Sequence, residues 1–138
     1  KKSLIVTSSG KNVAPAPLES ALLDSVYVEQ CLVLGDRKNF IASLIVPNFE
    51  LLKDFLTKKG IELSSSKAIV DHSETKTLFD NVLKASMEEF SNYQTVKKYT
   101  LLTNLWTLER GEMTPSLKTV RRKIEENYKD LIELMYSN

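Results

Sequence analysis

The sequence predicts an α+β fold of two layers: a small antiparallel or mixed sheet built around one strong hairpin and flanked by helices. Three observations carry that expectation. Two β-branched apolar runs, 26–34 and 40–46, are joined by the turn-forming stretch Gly35-Asp36-Arg37-Lys38-Asn39, which is the signature of a hairpin. Further along, apolar residues recur at helical spacing in two segments. Strands and helices also alternate irregularly rather than as a run of βαβ units, which favours a small sheet carrying helices over a doubly wound one. The chain has 138 residues, 42% of them hydrophobic, enough for one core with no disulfide or metal staple.

The elements follow in order. Leu4, Ile5, Val6 and Thr7 form a short strand, and Ser8, Ser9, Gly10, Lys11 and Asn12 form a polar loop. Pro15 and Pro17 can open a helix, because proline's fixed φ suits the first turn. After the hairpin, Pro47 should stop the second strand and Asn48 should cap a helix that carries Phe49, Leu51, Leu52, Phe55 and Leu56 and ends at Gly60. A longer helical stretch, 67–90, places Phe79, Val82, Leu83, Met87 and Phe90 on one stripe, with a break expected near His72 and Ser73. A third strand is expected over 99–107, a turn-rich loop over 109–115 and a helical region over 116–136.

Charge removes several function classes. Nineteen Lys and Arg against eighteen Asp and Glu leave a net +1, so no bulk field favours nucleic acid or an anionic membrane surface, and any basic patch must be local. The single cysteine, Cys31, lies in an apolar run and reads as core packing in a reducing, cytoplasmic setting. No apolar run approaches the roughly 18 residues of a spanning helix and no secretory leader precedes Leu4, so a soluble chain is expected. The start at Lys1 and Lys2, without Met, reads as a piece of a longer polypeptide.

Few residues can carry chemistry. Gly10 followed by Lys11 suggests a phosphate loop, yet Ile5 stands where a Walker A motif needs glycine and Asn12 where it needs Ser or Thr. A plain strand-to-helix turn is the simpler reading. His72 reads as a helix-boundary residue that makes no nucleophile-base pair with Cys31, and no metal-ligand spacing is present. Trp106 reads as a core or interface anchor. In Gly111-Glu112-Met113-Thr114-Pro115-Ser116-Leu117-Lys118, followed by Arg121, Arg122 and Lys123, a helix is expected to open with cations. That opposes the helix dipole, so Lys118 needs either an anionic partner or solvent.

Taken together, the segment from Lys2 through Pro15 with Glu19, the Gly35-Asp36-Arg37 turn with Ile45-Val46-Pro47, and the stretch from Gly111 to Arg122 resemble the C-terminal domain of AMP-forming acyl-CoA synthetases, in particular the long-chain fatty-acid branch. Two positions depart from the family pattern: Leu117 stands where many relatives have glycine before the lysine, and Ser9 replaces a glycine common in the loop. The resemblance implies a mobile lid domain whose partner is an N-terminal domain of the same polypeptide, the holder of ATP, Mg²⁺ and the fatty-acid chain. It implies that Lys118 is catalytic in adenylation, with Gly111, Glu112 and Pro115 supporting its loop. It further implies that Lys2 lies at the hinge, and that Ser8, Ser9, Gly10, Lys11 and Asn12 face the pantetheine of CoA once the domain has rotated, with Lys11 near CoA phosphates. The isolated domain should be inactive. An insoluble substrate suggests peripheral attachment to a membrane. Two other readings use the same residues: an adenylating enzyme that loads a carrier-protein thiol, or a non-catalytic module in which Lys118, Arg121, Arg122 and Lys123 bind phosphate on nucleic acid or a partner.

Overall fold

A computed structural model describes residues 4–137. The elements run β1 (Ile5–Val6), β2 (Asn12–Val13), α1 (Pro15–Leu23), β3 (Val28–Leu34), β4 (Ile41–Pro47), α2 (Phe49–Lys58), α3 (Ser66–Asp71), α4 (Ser73–Ser86), β5 (Val96–Leu101), α5 (Arg121–Asn127) and α6 (Lys129–Tyr136). β1 and β2 pair antiparallel as a small separate hairpin. The main sheet has the order β3-β4-β5, antiparallel between β3 and β4 and parallel between β4 and β5. This is the mixed sheet flanked by helices that the sequence predicts, but helices cover both of its faces, so the domain has three layers rather than the expected two.

Alternation along the hairpin sets the layers. On one face Cys31, Val33, Ile41 and Ile45 join Leu18 and Leu22 of α1, Leu52 and Leu56 of α2, Ile69 of α3 and Phe79 of α4 in one buried cluster. On the other, Leu32, Leu34, Ala42, Leu44 and Val46 meet Trp106, Ile124 of α5 and Met135 of α6. A sheet buried on both faces reads as a near-continuous apolar run, which is what the second strand shows in Ile41-Ala42-Ser43-Leu44-Ile45-Val46. Its one polar member, Ser43, is buried and its hydroxyl donates to the Leu32 carbonyl at 3.2 Å.

Most helix boundaries fall where local chemistry places them. The Asn48 side chain accepts from the Leu51 N–H at 3.2 Å and caps α2. His72 separates α3 from α4 with an extended backbone, and its Nδ1 accepts from the Glu74 N–H at 3.0 Å. It is the boundary residue expected, and Cys31 is a core residue whose thiol burial pushes up to about 12. That thiol stays protonated at neutral pH and is no nucleophile.

Other expectations need correction. β3 begins at Val28, not Val26, whose side chain is exposed, and Pro47 is the last residue of β4 rather than its stop. α4 ends at Ser86, so Met87 and Phe90 pack from a turn. β5 occupies Val96–Leu101 instead of 99–107. Lys97 and Lys98 conceal its start, since the Lys98 ammonium reaches across the Phe40 ring to the Met135 carbonyl at 3.3 Å. The helix expected over 116–136 begins only at Arg121. The loop over 8–12 is the turn of the β1–β2 hairpin, with Asn12 already in β2.

Candidate functional site

Lys118 lies on a hairpin, three residues before α5. Met113 and Thr119 bridge antiparallel. Inside that bridge the Thr114 N–H donates to the Lys118 carbonyl at 2.8 Å, and the Leu117 N–H donates to the Thr114 carbonyl at 2.8 Å. Pro115 supplies the fixed φ of the turn's first central position, and Leu117 adopts φ +65. A turn followed by one left-handed residue is the usual three-residue hairpin connection. The conflict between Lys118 and the dipole of α5 therefore does not arise. Lys118 is exposed, and no carboxylate pairs with it among the described residues.

The left-handed position explains why glycine suits the residue before this lysine. A side chain there costs about 1–2 kcal/mol, and the Leu117 side chain, 79% exposed, recovers little by packing. Leu117→Gly is expected to raise the stability of this chain by about 0.5–1 kcal/mol after the entropy of glycine is subtracted. Thermal unfolding checks it; a lowered midpoint would show that Leu117 has a packing role.

Glu112 anchors the hairpin from below. Its side chain is only 1% exposed. Oε1 accepts from the Thr107 N–H at 3.2 Å and from Arg110 Nε at 3.1 Å, while Oε2 accepts from Asn127 Nδ2 at 3.0 Å. Its main chain receives the Val120 N–H at 2.8 Å. Gln30 secures the neighbouring loop by accepting from the Trp106 N–H at 2.8 Å. Trp106 is a core residue of the α5–α6 face. Gly111, at φ +75, makes the turn that aims Glu112 inward.

The loop at residues 8–12 repeats the same unit. Thr7 N–H donates to the Lys11 carbonyl at 2.9 Å, Gly10 N–H to the Thr7 carbonyl at 2.9 Å, and Lys11 N–H to Thr7 Oγ1 at 3.2 Å. In the second hairpin Lys118 N–H meets Thr114 Oγ1 at 3.0 Å. The hydroxyls of Thr7 and Ser9, and of Thr114 and Ser116, stand 3.1 Å apart in both. Thr7-Ser8-Ser9-Gly10-Lys11 and Thr114-Pro115-Ser116-Leu117-Lys118 are thus two copies of one hydrogen-bonded hairpin, each ending in an exposed lysine. Gly10, at φ +86, faces open space, and Lys11 Nζ lies 5.2 Å from the Tyr93 ring centre. The Ser8 N–H donates to the Lys38 carbonyl at 2.9 Å, docking this hairpin on the β3–β4 turn.

Of the remaining site residues, Lys2 lies outside the described residues. Arg121 pairs with Glu19 at 2.9 Å and Lys123 with Glu126 at 3.4 Å. Among the described residues no three His, Cys, Asp or Glu side chains gather as a metal group. No helix among them is long and apolar enough to cross a membrane.

A small mixed sheet covered by helices is a fold this chain shares with solved domains of adenylate-forming enzymes. The adenylation–PCP didomain of a carboxylic acid reductase from Segniliparus rugosus, solved with AMP, is 25% identical with a TM-score of 0.76, over 98% of this chain and 17% of that one. The adenylation domain of the Mycobacterium chelonae carboxylate reductase shares the fold at a TM-score of 0.77 and 23% identity, over 98% of this chain and 19% of that one. Among curated proteins, the long-chain-fatty-acid–CoA ligase FadD15 of Mycobacterium tuberculosis is 30% identical over 138 residues, 99% of this chain and 23% of its own length. Human long-chain-fatty-acid–CoA ligase 6 is 27% identical over 139 residues, 99% of this chain and 20% of its own length. This chain thus spans about a fifth of the length of these relatives. The family model for the AMP-binding enzyme C-terminal domain matches residues 2–138, and the chain belongs to that family.

Proposed function

We propose that this chain is the single C-terminal lid domain of an AMP-forming long-chain fatty-acid–CoA ligase, and that Lys118 serves its adenylation step. The observation that carries the reading is an exposed lysine without an ion pair among the described residues, held on a rigid hairpin in a member of this domain family. In that step a fatty carboxylate oxygen attacks the α-phosphorus of ATP, the bond to the β-phosphate oxygen breaks, and pyrophosphate leaves. Two anions must meet, and an ammonium group between them stabilises the charge that accumulates. CoA thiolate then attacks the acyl carbonyl and AMP departs.

The second hairpin supplies the other face. Rotation about a hinge at Lys2 would withdraw Lys118 and bring Ser8, Ser9, Gly10, Lys11 and Asn12 to the pantetheine channel, with the backbone at Gly10 open to a close approach. Leucine at Gly10 would add backbone strain as well as bulk; asparagine tolerates the left-handed region and isolates the bulk. The phosphate-binding module is the weaker reading, because Arg121 and Lys123 are already committed to carboxylates.

Pyrophosphate release with ATP, Mg²⁺ and palmitate tests the proposal. The polypeptide that carries this domain should release pyrophosphate and, with CoA, form palmitoyl-CoA. This chain alone should release none. Activity in this chain alone would refute the lid assignment, and transfer to a carrier-protein thiol but not to free CoA would replace the acceptor.

A further inference from the structure

Beyond the two hairpins, Arg121 and Glu19 make a joint that no part of the lysine chemistry requires. Arg121 Nη1 donates to the Val33 carbonyl at 2.6 Å and Nη2 donates to Glu19 Oε2 at 2.9 Å. The same Glu19 oxygen accepts from the Val33 N–H at 2.8 Å. β3 is an edge strand, so the Val33 N–H and C=O lack a strand partner on that side. One carboxylate and one guanidinium satisfy both, acting as a two-atom substitute for a missing strand.

The joint gathers three elements at one residue. Glu19 belongs to α1, which follows the first hairpin; Arg121 opens α5, which follows the second; Val33 belongs to β3. α5 has no side-chain cap at Val120 and no acidic residue in its first turn; its start is tied to the Glu112 carbonyl by the Val120 N–H at 2.8 Å and to β3 and α1 by Arg121. Lys118 is three residues away, on the arm that enters that helix. The planar fork of Arg suits this two-point hold; the ammonium of Lys reaches one acceptor at a time.

We propose that Arg121, with Glu19, is a positioning residue: it touches no substrate and fixes the angle at which the Lys118 hairpin leaves the sheet. The inference rests on the assignment of Lys118 to adenylation. It also gives the two hairpins a common frame, so that they rotate as one body.

The test combines kinetics of the full-length polypeptide with amide exchange in this chain. Arg121→Met should lower the adenylation kcat by an order of magnitude or more, with KM for ATP and fatty acid unchanged and thioester formation from supplied acyl-adenylate intact. In the Lys118→Ala background the same substitution should have no further effect on adenylation, because there is no ammonium left to misplace. Arg121→Lys should restore little, whereas Glu19→Gln, which keeps the acceptor oxygen, should retain most of the rate. A loss of equal size in the Lys118→Ala background, or a raised KM, would overturn the proposal; the first marks general destabilisation and the second a substrate contact. In this chain alone, the Thr114, Leu117 and Lys118 amides should exchange faster in Arg121→Met while those of β4 stay protected. Unchanged exchange at the hairpin would refute the positioning role, and that readout stands even if the full-length polypeptide forms no adenylate.

Discussion

In the full-length polypeptide, Lys118→Ala is expected to lower acyl-adenylate formation by about 10²–10³-fold, the effect of about 2.7–4 kcal/mol seen when a preorganised donor is removed from a developing anion. Thioester formation from supplied acyl-adenylate should stay near the wild-type rate, since the proposed rotation would have withdrawn the lysine by then. Separate assays of pyrophosphate release and of CoA consumption measure the two halves. The physical reason for a large effect is the exposure of Lys118. Its ammonium is unpaired among the described residues, so it would bring its full charge to the proposed N-terminal domain without breaking an internal ion pair. Lys118→Arg should rescue poorly, because the hairpin fixes the backbone while the longer planar fork places its donors elsewhere.

The largest loss of stability is expected at Glu112. Glu112→Ala removes an acceptor shared by the Thr107 N–H, Arg110 Nε and Asn127 Nδ2, and it leaves a void beneath the turn. Arg110 and Asn127 are exposed enough to find water. The Thr107 amide, the void and the loss of charge-assisted bonds together cost about 2–4 kcal/mol. Glu112→Gln keeps the shape and one good acceptor, and should cost about half as much, since its amide meets Asn127 donor to donor unless Asn127 turns over. Urea unfolding of this chain measures both. Equal stability of wild type and Glu112→Ala would mean that the hairpin is held by its own turn alone. The substitution should also depress adenylation more than thioester formation, because it loosens the Lys118 hairpin and leaves the Thr7 hairpin untouched.

The parts of this fold legible in the sequence are those fixed by local chemistry. The 35–39 turn sits between two β-branched runs, and a Gly35 side chain would stand 2.8 Å from Ile41 Cδ1, so glycine there was an informative signal. Asn48 announces a helix start because its short polar side chain caps the exposed N–H groups, and His72 falls at the expected boundary between two helices. The parts that stayed hidden depend on distant partners. Lys97 and Lys98 hide the start of β5 because they interrupt the apolar pattern, and only Phe40 and Met135 give Lys98 a place beside the sheet. Glu112 could be named only by resemblance, as support for the Lys118 loop, and it is the approach of Asn127 and Thr107 that makes it a buried acceptor.

The site divides in the same way. Lys118 and the loop that carries Gly10 could be named from residue type and resemblance. The likeness of their two hairpins could not, because Leu117 gives no sign that it adopts the conformation of Gly10. The ion pair between Glu19 and Arg121 spans 102 positions of sequence, and Arg121 reads as one more cation in a basic cluster until Val33 is placed between them. Three of the four cations after Thr114 thus separate: Lys118 projects, Arg121 joins Glu19 and Val33, and Lys123 pairs along its own helix.

Amine-reactive labelling of the full-length polypeptide, read by mass spectrometry, tests most directly whether one domain presents Lys118 and Lys11 by turns. With fatty acid and an ATP analogue that cannot release pyrophosphate, Lys118 should be shielded from the reagent while Lys11 reacts freely. With AMP and the acyl-CoA product the protection should reverse. Equal labelling of Lys118 in both states, at the rate found in this chain alone, would contradict the account.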